Sequence, residues 1–285
     1  MGLADSTEHD RLAAEMWRAY MTTGEIPKFA RPLWFESRWL RPVVKWLPTD
    51  PRCRICYYPF GGPGGLLVRT LLGVAPSKLN PQLCNLCENA ARHFHGGAEI
   101  EMSLVFADVR GSTGIAENLS PAAFSRLIDR FYQATTKVLY RKNGLVEKLI
   151  GDAVTSFFVP GIAGAAHARV AIEAGEEILR ATGHHDPHGP WVPVGVGVHT
   201  GIAFVGAVGA ADETPDITVL GDTVNAAARI AAQAAVGEVL FSDAARSAAG
   251  LKDEGLEARH LELKGRKEPI DVWVKKIKAN KSAHL

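Results

Sequence analysis

Apolar residues recur at helical spacing from Glu8 to Thr22, with Leu12, Met16 and Tyr20 on one side, and predict an amphipathic helix. Leu33 to Leu47, bounded by Pro32 and Pro48, is a second helical stretch. Its Trp and Arg content resembles a membrane-surface helix, but packing of its tryptophans on a cysteine module or a partner chain is the favoured reading. Pro59-Phe-Gly-Gly-Pro-Gly-Gly65 is a loop by composition. Beyond the glycine pair Gly96-Gly97 the pattern alternates between strand and helix. Strands are expected at Glu101 to Ala107 and in a hairpin over Leu145 to Val159 that turns at Gly151-Asp152. A strand pair is expected over Val192 to His199 and Ile202 to Gly209, with short strands near Glu238 to Phe241 and Pro269 to Lys275. Helices are expected at Pro121 to Tyr140, Gly164 to Thr182 and Asp222 to Ala234. This alternation predicts an α/β sandwich with a mixed sheet. Two domains follow: residues 1–97, a small helical and cysteine-bearing module, and residues 98–285.

Composition narrows the partners. Hydrophobic residues make up 47% and charged residues 22%, the balance of a soluble globular chain. With 32 basic and 31 acidic residues the net charge is +1, which gives no electrostatic case for nucleic acid or an anionic membrane. No apolar run reaches the roughly 20 residues that span a bilayer; Gly64 to Val74 is broken by Arg69. No basic segment precedes an apolar one at the N-terminus, and Met1-Gly2-Leu-Ala-Asp-Ser6 matches the myristoylation pattern only as a short chance match, so a cytoplasmic location is expected.

Candidate chemistry begins with two aspartates. Asp108 ends the apolar run Ser103-Leu-Val-Phe-Ala-Asp108, and Asp152 sits at the turn of Val146-Glu-Lys-Leu-Ile-Gly-Asp152. Carboxylates at the tips of neighbouring strands converge on one hard divalent cation such as Mg²⁺, which takes one or two of them plus substrate phosphates. The plainer alternative is that each aspartate only supports a turn. Asn225 and Arg229 are four residues apart and share a helix face, separated by three alanines. Such an arginine offers a planar fork to a phosphate, and the asparagine a hydrogen bond to a ribose. Taken alone, that pair is indistinguishable from an ordinary amphipathic helix.

Five ordered motifs carry a resemblance over roughly residues 99 to 278: Phe106-Ala-Asp108-Val-Arg-Gly-Ser-Thr113, Glu147-Lys-Leu-Ile-Gly-Asp152, Val198-His-Thr-Gly201, Gly221-Asp-Thr-Val-Asn225 and Leu263-Lys-Gly265. The stretch resembles a class III adenylyl/guanylyl cyclase catalytic domain. The resemblance implies a ferredoxin-like, palm-type α/β fold with a mixed central sheet, two Mg²⁺ or Mn²⁺ ions held by Asp108 and Asp152, and no protein nucleophile. It further implies that Asn225 orients the ribose, that Arg229 stabilises the transition state, and that Lys264 meets the terminal phosphates, with Arg266 as a substitute. Lys148 corresponds to the lysine that donates to adenine N1. Its partner position, usually aspartate, holds Thr218, whose hydroxyl accepts from the adenine N6 amino group. The Lys/Thr pair is similar to class IIIb adenylyl cyclases. It points to ATP as substrate, with a guanylate or mixed-specificity cyclase as the alternative. The family shares each site between two subunits, so a homodimer is expected. A catalytically silent, nucleotide-responsive dimerisation module is the reading from a different class, and the complete Asp108/Asp152/Asn225/Arg229 set argues against it. Diguanylate cyclases share the architecture, but the Gly-Gly-Asp/Glu-Glu-Phe signature is missing.

The N-terminal region holds four of the six tryptophans and all four cysteines. Cys53-Arg-Ile-Cys56 and Cys84-Asn-Leu-Cys87 are two matched C-x₂-C pairs, which in a chain with no secretory signal read as a metal site. Zinc is the common occupant, but zinc knuckles often carry Gly after the second Cys, where this chain has Tyr57 and Glu88. The aromatic and apolar surroundings (Tyr57, Tyr58, Phe60, Leu83, Leu86) shift the expectation to a [4Fe–4S] cluster that senses redox state or oxygen and regulates the cyclase. His93 and His95 read as linker residues. His184, His185 and His188, beside Asp186, read as a solvated loop.

Overall fold

The computed structural model describes residues 3–28, 51–56, 58–78, 80–93, 95–209, 216–262 and 269–277. The expected helix Leu33 to Leu47, the residues Trp34, Trp39, Trp46, Tyr57 and Arg266, and the Leu263-Lys264-Gly265 motif lie outside them. The chain divides into two compact units. The first contains residues 1–100, 160–162 and 204–219; the second contains residues 101–159, 163–203 and 220–285.

In the first unit, helix α1 (Leu3–Thr23) extends further at both ends than the apolar pattern indicates. It buries Ala13, Met16, Trp17, Tyr20 and Met21, while Leu12 is only half-buried. A β-carbon on Gly24, just past its end, would meet the Gly161 carbonyl oxygen at 2.4 Å, so glycine is required by close backbone approach as well as by its φ of 74°. Helix α2 (Gly62–Leu72) begins inside the stretch expected to be a loop; Pro63 stands in its first turn and Gly73 closes it at φ 64°. Helix α3 (Asn85–His93) puts His93, expected in a linker, at a helix end.

Strand β1 (Gly96–Val109) also starts earlier than expected, and Gly96-Gly97 are its first residues. A β-carbon on Gly97 would lie 2.3 Å from the Val205 carbonyl oxygen, so this glycine serves strand contact. Helix α4 (Ser112–Asn118) and helix α5 (Pro121–Arg141) follow. Ser120 caps α5 by accepting from the Ala123 amide, and Ile128, Phe131, Thr135, Val138 and Leu139 form its buried stripe. Asn143 at φ 61° ends that run before strand β2 (Leu145–Ile150) and strand β3 (Ala153–Phe158), the expected hairpin. The short helix α6 (Pro160–Ala163) precedes helix α7 (His167–Ala181).

One expectation fails at the next element. The apolar pattern predicts two strands, Val192 to His199 and Ile202 to Gly209, but strand β4 (Val194–Val208) runs unbroken through Thr200-Gly201. Gly201 is not there to turn the chain: its β-carbon would press on Thr223 at 3.0 Å, and the strand needs the space. Strand β5 (Asp216–Leu220) pairs with β4. Helix α8 (Asp222–Gln233), strand β6 (Glu238–Ser242), helix α9 (Asp243–Ala248), strand β7 (Glu257–Leu261) and strand β8 (Ile270–Lys276) complete the order.

The sheet runs β2-β3-β1-β4-β6-β8-β7. It is mixed, since β4 and β6 are parallel while β1/β3, β2/β3, β6/β8 and β7/β8 are antiparallel. Consecutive residues of a strand point to opposite faces. Val196 faces Gly175 of α7, and Gly197 faces Ala231 of α8, so the two helices cover opposite faces and the expected sandwich is present. Phe131, Phe158, Leu139, Ile172 and Ile178 fill the core on the α5/α7 side. Ile230, Leu240, Val272 and Val274 fill it beneath α8.

His184 departs from the solvated-loop reading. It is buried, bonds Thr182 Oγ1 and the Leu179 carbonyl through Nδ1, and accepts the Val194 amide at Nε2, 3.2 Å away. Burial holds its pKa below the ordinary histidine value. It stitches the α7–β4 connection, while His185 stays at the surface beside Asp186.

Candidate functional site

The antiparallel pairing of β1 with β3 places Asp108 opposite Ala153, and the Val109 amide donates to the Asp152 carbonyl at 3.1 Å. The two carboxylates therefore stand together at one end of the hairpin. Burial pushes the Asp108 carboxyl up from its ordinary value, Arg110 opposes that, and the negative charge of Asp152 reinforces it. Gly151 turns at φ 59° and Gly111 at φ 67°, and a β-carbon on either, or on Gly114, would meet nothing within 4 Å. Two hard oxygen ligands beside open space fit a divalent cation and its phosphate ligands.

Two neighbours of this pair escaped the sequence reading. Arg110 bonds the Asp108 carboxylate, donates to the Ala232 carbonyl at 3.0 Å, and supplies a local counter-charge. Arg110 is the first residue past the end of β1, two positions after Asp108, and that proximity is the only signal of it in the sequence. Tyr132 donates to the Gly151 carbonyl at 2.7 Å and so holds the turn that carries Asp152. Burial, then the charges of Asp152 and Asp129, push its phenol pKa up. Nothing in the local sequence marks it apart from other residues of α5.

Asn225 and Arg229 lie one turn apart on α8, the asparagine exposed and the arginine half-buried. Thr223 fixes the start of that helix by donating to the Ile202 carbonyl. Lys148 lies exposed on β2, its ammonium 3.8 Å from Glu147. Thr218 is buried in β5. Lys264 lies outside the described residues. The Val198-His-Thr-Gly201 motif is internal wiring. His199 Nδ1 pairs with Ser242 at 2.7 Å, Thr200 with Ser103 at 2.7 Å, and Ser103 in turn with His167 at 3.0 Å.

A family model for the adenylate and guanylate cyclase catalytic domain matches residues 98–276, a span that includes every one of these positions. The chain belongs to this cyclase family. An adenylate cyclase from Anabaena cylindrica is 32% identical to it over 135 residues, covering 45% of this chain and 26% of that protein. Adenylate cyclase 1 from Rhizobium meliloti is 31% identical over 150 residues, covering 48% of this chain and 22% of that protein. The chain thus matches about a quarter of the length of these two curated cyclases. Among solved structures, the adenylyl cyclase CyaB from P. aeruginosa superposes with a TM-score of 0.53 at 25% identity, covering 62% of this chain and 94% of that one. The guanylyl cyclase Cya2 shares the fold at a TM-score of 0.58 and 22% identity, covering 67% of this chain and 98% of that one. The class III fold and a cyclase catalytic domain are therefore established for this protein, and cyclases of this class use divalent metals. Among the described residues no helix is long and apolar enough to cross a membrane.

The chain also brings its four cysteines together. Cys53, Cys56, Cys84 and Cys87 are all buried, and their sulfurs lie within 4.8 Å of one another. Cys53 and Cys56 occupy a tight turn closed by the Cys53 amide on the Tyr58 carbonyl at 2.9 Å and by the Arg52–Pro59 bridge. Cys84 precedes α3, and Cys87 falls in its first turn. The Arg54 amide bonds the Gln82 carbonyl at 2.9 Å and ties the two pairs together.

Proposed function

We propose that this cyclase converts ATP to 3′,5′-cyclic AMP and pyrophosphate at sites shared between two copies of the chain, and that metal held by its four cysteines conditions that activity. The observation that carries the nucleotide reading is the Asp108/Asp152 pair beside the open glycine turns at 111 and 151. Asp108 and Asp152 would hold two Mg²⁺ or Mn²⁺ ions, which when bound lower the pKa of the ribose 3′-hydroxyl and neutralise the triphosphate. The chain's own residues orient the rest. Asn225 hydrogen-bonds the ribose and sets the 3′-oxygen in line with the α-phosphorus. That oxygen attacks, and pyrophosphate leaves from the opposite side. Arg229 neutralises charge on the transferring phosphoryl group, so rate comes from positioning and charge stabilisation. Lys264 meets the terminal phosphates. Lys148 donates to adenine N1, and Thr218 accepts from the N6 amino group.

Adenylate cyclases among the relatives support ATP as the substrate. Exposed apolar side chains support the dimer. Leu149 and Ile150 at the β2–β3 turn, with Ile202 and Leu220, remain 39 to 65% exposed on the catalytic unit, a surface that a second copy would cover.

The test is a direct assay with ATP and GTP separately in Mn²⁺ and in Mg²⁺. Cyclic AMP from ATP, lost in Asp108→Ala, supports the reading. Cyclic GMP as the main product would reassign the substrate, and no product from either, in folded protein that binds Mn²⁺, would reduce the domain to a nucleotide-responsive dimerisation module.

A further inference from the structure

We propose that Cys53, Cys56, Cys84 and Cys87 hold one zinc ion in a tetrahedral thiolate site, separate from the cations of the nucleotide reaction. This rests on the metal-binding reading of the cysteines given above and is independent of the choice of nucleotide.

Sulfur spacing decides how many metal atoms fit. Four sulfurs at about 2.3 Å from one zinc stand about 3.8 Å apart along the edges of their tetrahedron. In a [4Fe–4S] cluster each cysteine binds a different iron, so the sulfurs surround a larger body and stand about 6 Å apart. A two-iron cluster also separates its two pairs, by about 5 Å or more. Here every pair of sulfurs lies within 4.8 Å, and Cys56 and Cys84, one from each C-x₂-C, are 3.6 Å apart. That is the edge of a single-ion tetrahedron. The enclosed volume is too small for iron and inorganic sulfide together, which favours the zinc alternative over the cluster that the aromatic surroundings indicated.

The backbone is arranged for thiolates. The Cys84 amide donates to the Cys53 sulfur at 3.2 Å, and the Cys87 amide donates to the Cys84 sulfur at 3.3 Å. Amide donors and the positive end of α3 stabilise negative sulfur. Four buried thiolates in contact need a cation among them, and soft sulfur ligands in tetrahedral array favour Zn²⁺ over Fe²⁺. Zinc has one stable oxidation state in proteins, so such a site would sense no electrons. It would act instead as a clamp, fixing the 53–56 turn against the first turn of α3. Helix α3 leads through residues 94–95 into β1, the strand that carries Asp108.

The full chain, produced in iron-replete medium and purified without oxygen, should contain about one zinc per chain with neither iron nor acid-labile sulfide. Zinc X-ray absorption should show four sulfur neighbours at about 2.3 Å. Four or two irons with sulfide, or one iron without it, would overturn zinc but leave a metal site. No metal, or zinc ligated by oxygen and nitrogen, would overturn the metal reading of the cysteines altogether. Each outcome is independent of the ATP and GTP assays on the same sample.

Discussion

Gly197 of β4 lies directly beneath Ala231 of α8: a β-carbon on the glycine would stand 2.3 Å from the alanine amide nitrogen and 2.5 Å from its α-carbon. Both obstacles are backbone, so no rotamer change relieves them. Gly197→Ala should push α8 away from the sheet, cost about 3 kcal/mol and lower the melting temperature by about 6–10 °C. Since α8 carries Asn225 and Arg229, kcat should fall further than folded fraction alone explains. Thermal melts and an ATP cyclisation assay below the new transition check this; a variant with unchanged stability would refute the contact.

Asp152→Asn should stabilise the metal-free protein while abolishing its response to metal. Burial and the neighbouring Asp152 charge raise the Asp108 pKa above its unfolded value, so metal-free stability falls as pH rises through the Asp108 titration. Neutralising Asp152 removes the repulsion and leaves the Asp108–Arg110 pair intact. A gain of about 0.5–1 kcal/mol is expected at neutral pH. Differential scanning with and without Mn²⁺ reads both effects. If Mn²⁺ raises the melting temperature of this variant as much as that of the parent, Asp152 is not a ligand.

Glu238 accepts two hydrogen bonds from Arg259, at 2.6 and 2.7 Å, while nearly buried. Chiefly through that arginine, its pKa falls from 4.5 to about 2. The folded-state value lies below the unfolded one, so this stabilisation is complete above pH 4.5 and is lost as pH falls toward 2. Glu238→Gln should cost about 2 kcal/mol at pH 7, and the difference should shrink steadily in acid. Urea melts from pH 7 to pH 3 measure it; a pH-independent difference would mean that the ion pair contributes nothing.

Mixing two inactive variants, Asp108→Ala and Arg229→Ala, should restore activity. Each heterodimer would keep one complete site of two, and random pairing predicts about a quarter of the parental rate. Verified heterodimers without cyclase activity would place both residues in a site formed within one chain.

Much of the second unit was legible because its period changes are sharp. The α5 stripe, the β2–β3 hairpin and the buried β6 strand all follow from apolar spacing, and the order of five motifs marked the family. The failures share a cause. Glycine content predicts a break at Thr200-Gly201 and a loop at Gly62-Pro63-Gly64-Gly65, but glycine at 201 and 65 answers close packing, which only tertiary contact reveals. Gly65 would carry a β-carbon 2.5 Å from the Phe60 carbonyl carbon, yet it sits inside a helix. Helix α9 and strand β7 are too short to show a period of their own. The cysteine spacing announced a metal site, but separation of the sulfurs is a matter of backbone path between residues 56 and 84, which sequence spacing does not record.

The chain passes from one compact unit to the other after Ile100, Val159, Ile162, Ala203 and Val219. A module joined through a single peptide can be inherited, lost or grafted by one genetic fusion. This one returns for residues 160–162 and 204–219, so a chimera made by swapping only the N-terminal hundred residues onto another cyclase would leave behind pieces that belong to the part removed. Residues 1–100 and the two short returns are therefore expected to vary together across lineages, as one inherited block written in three places.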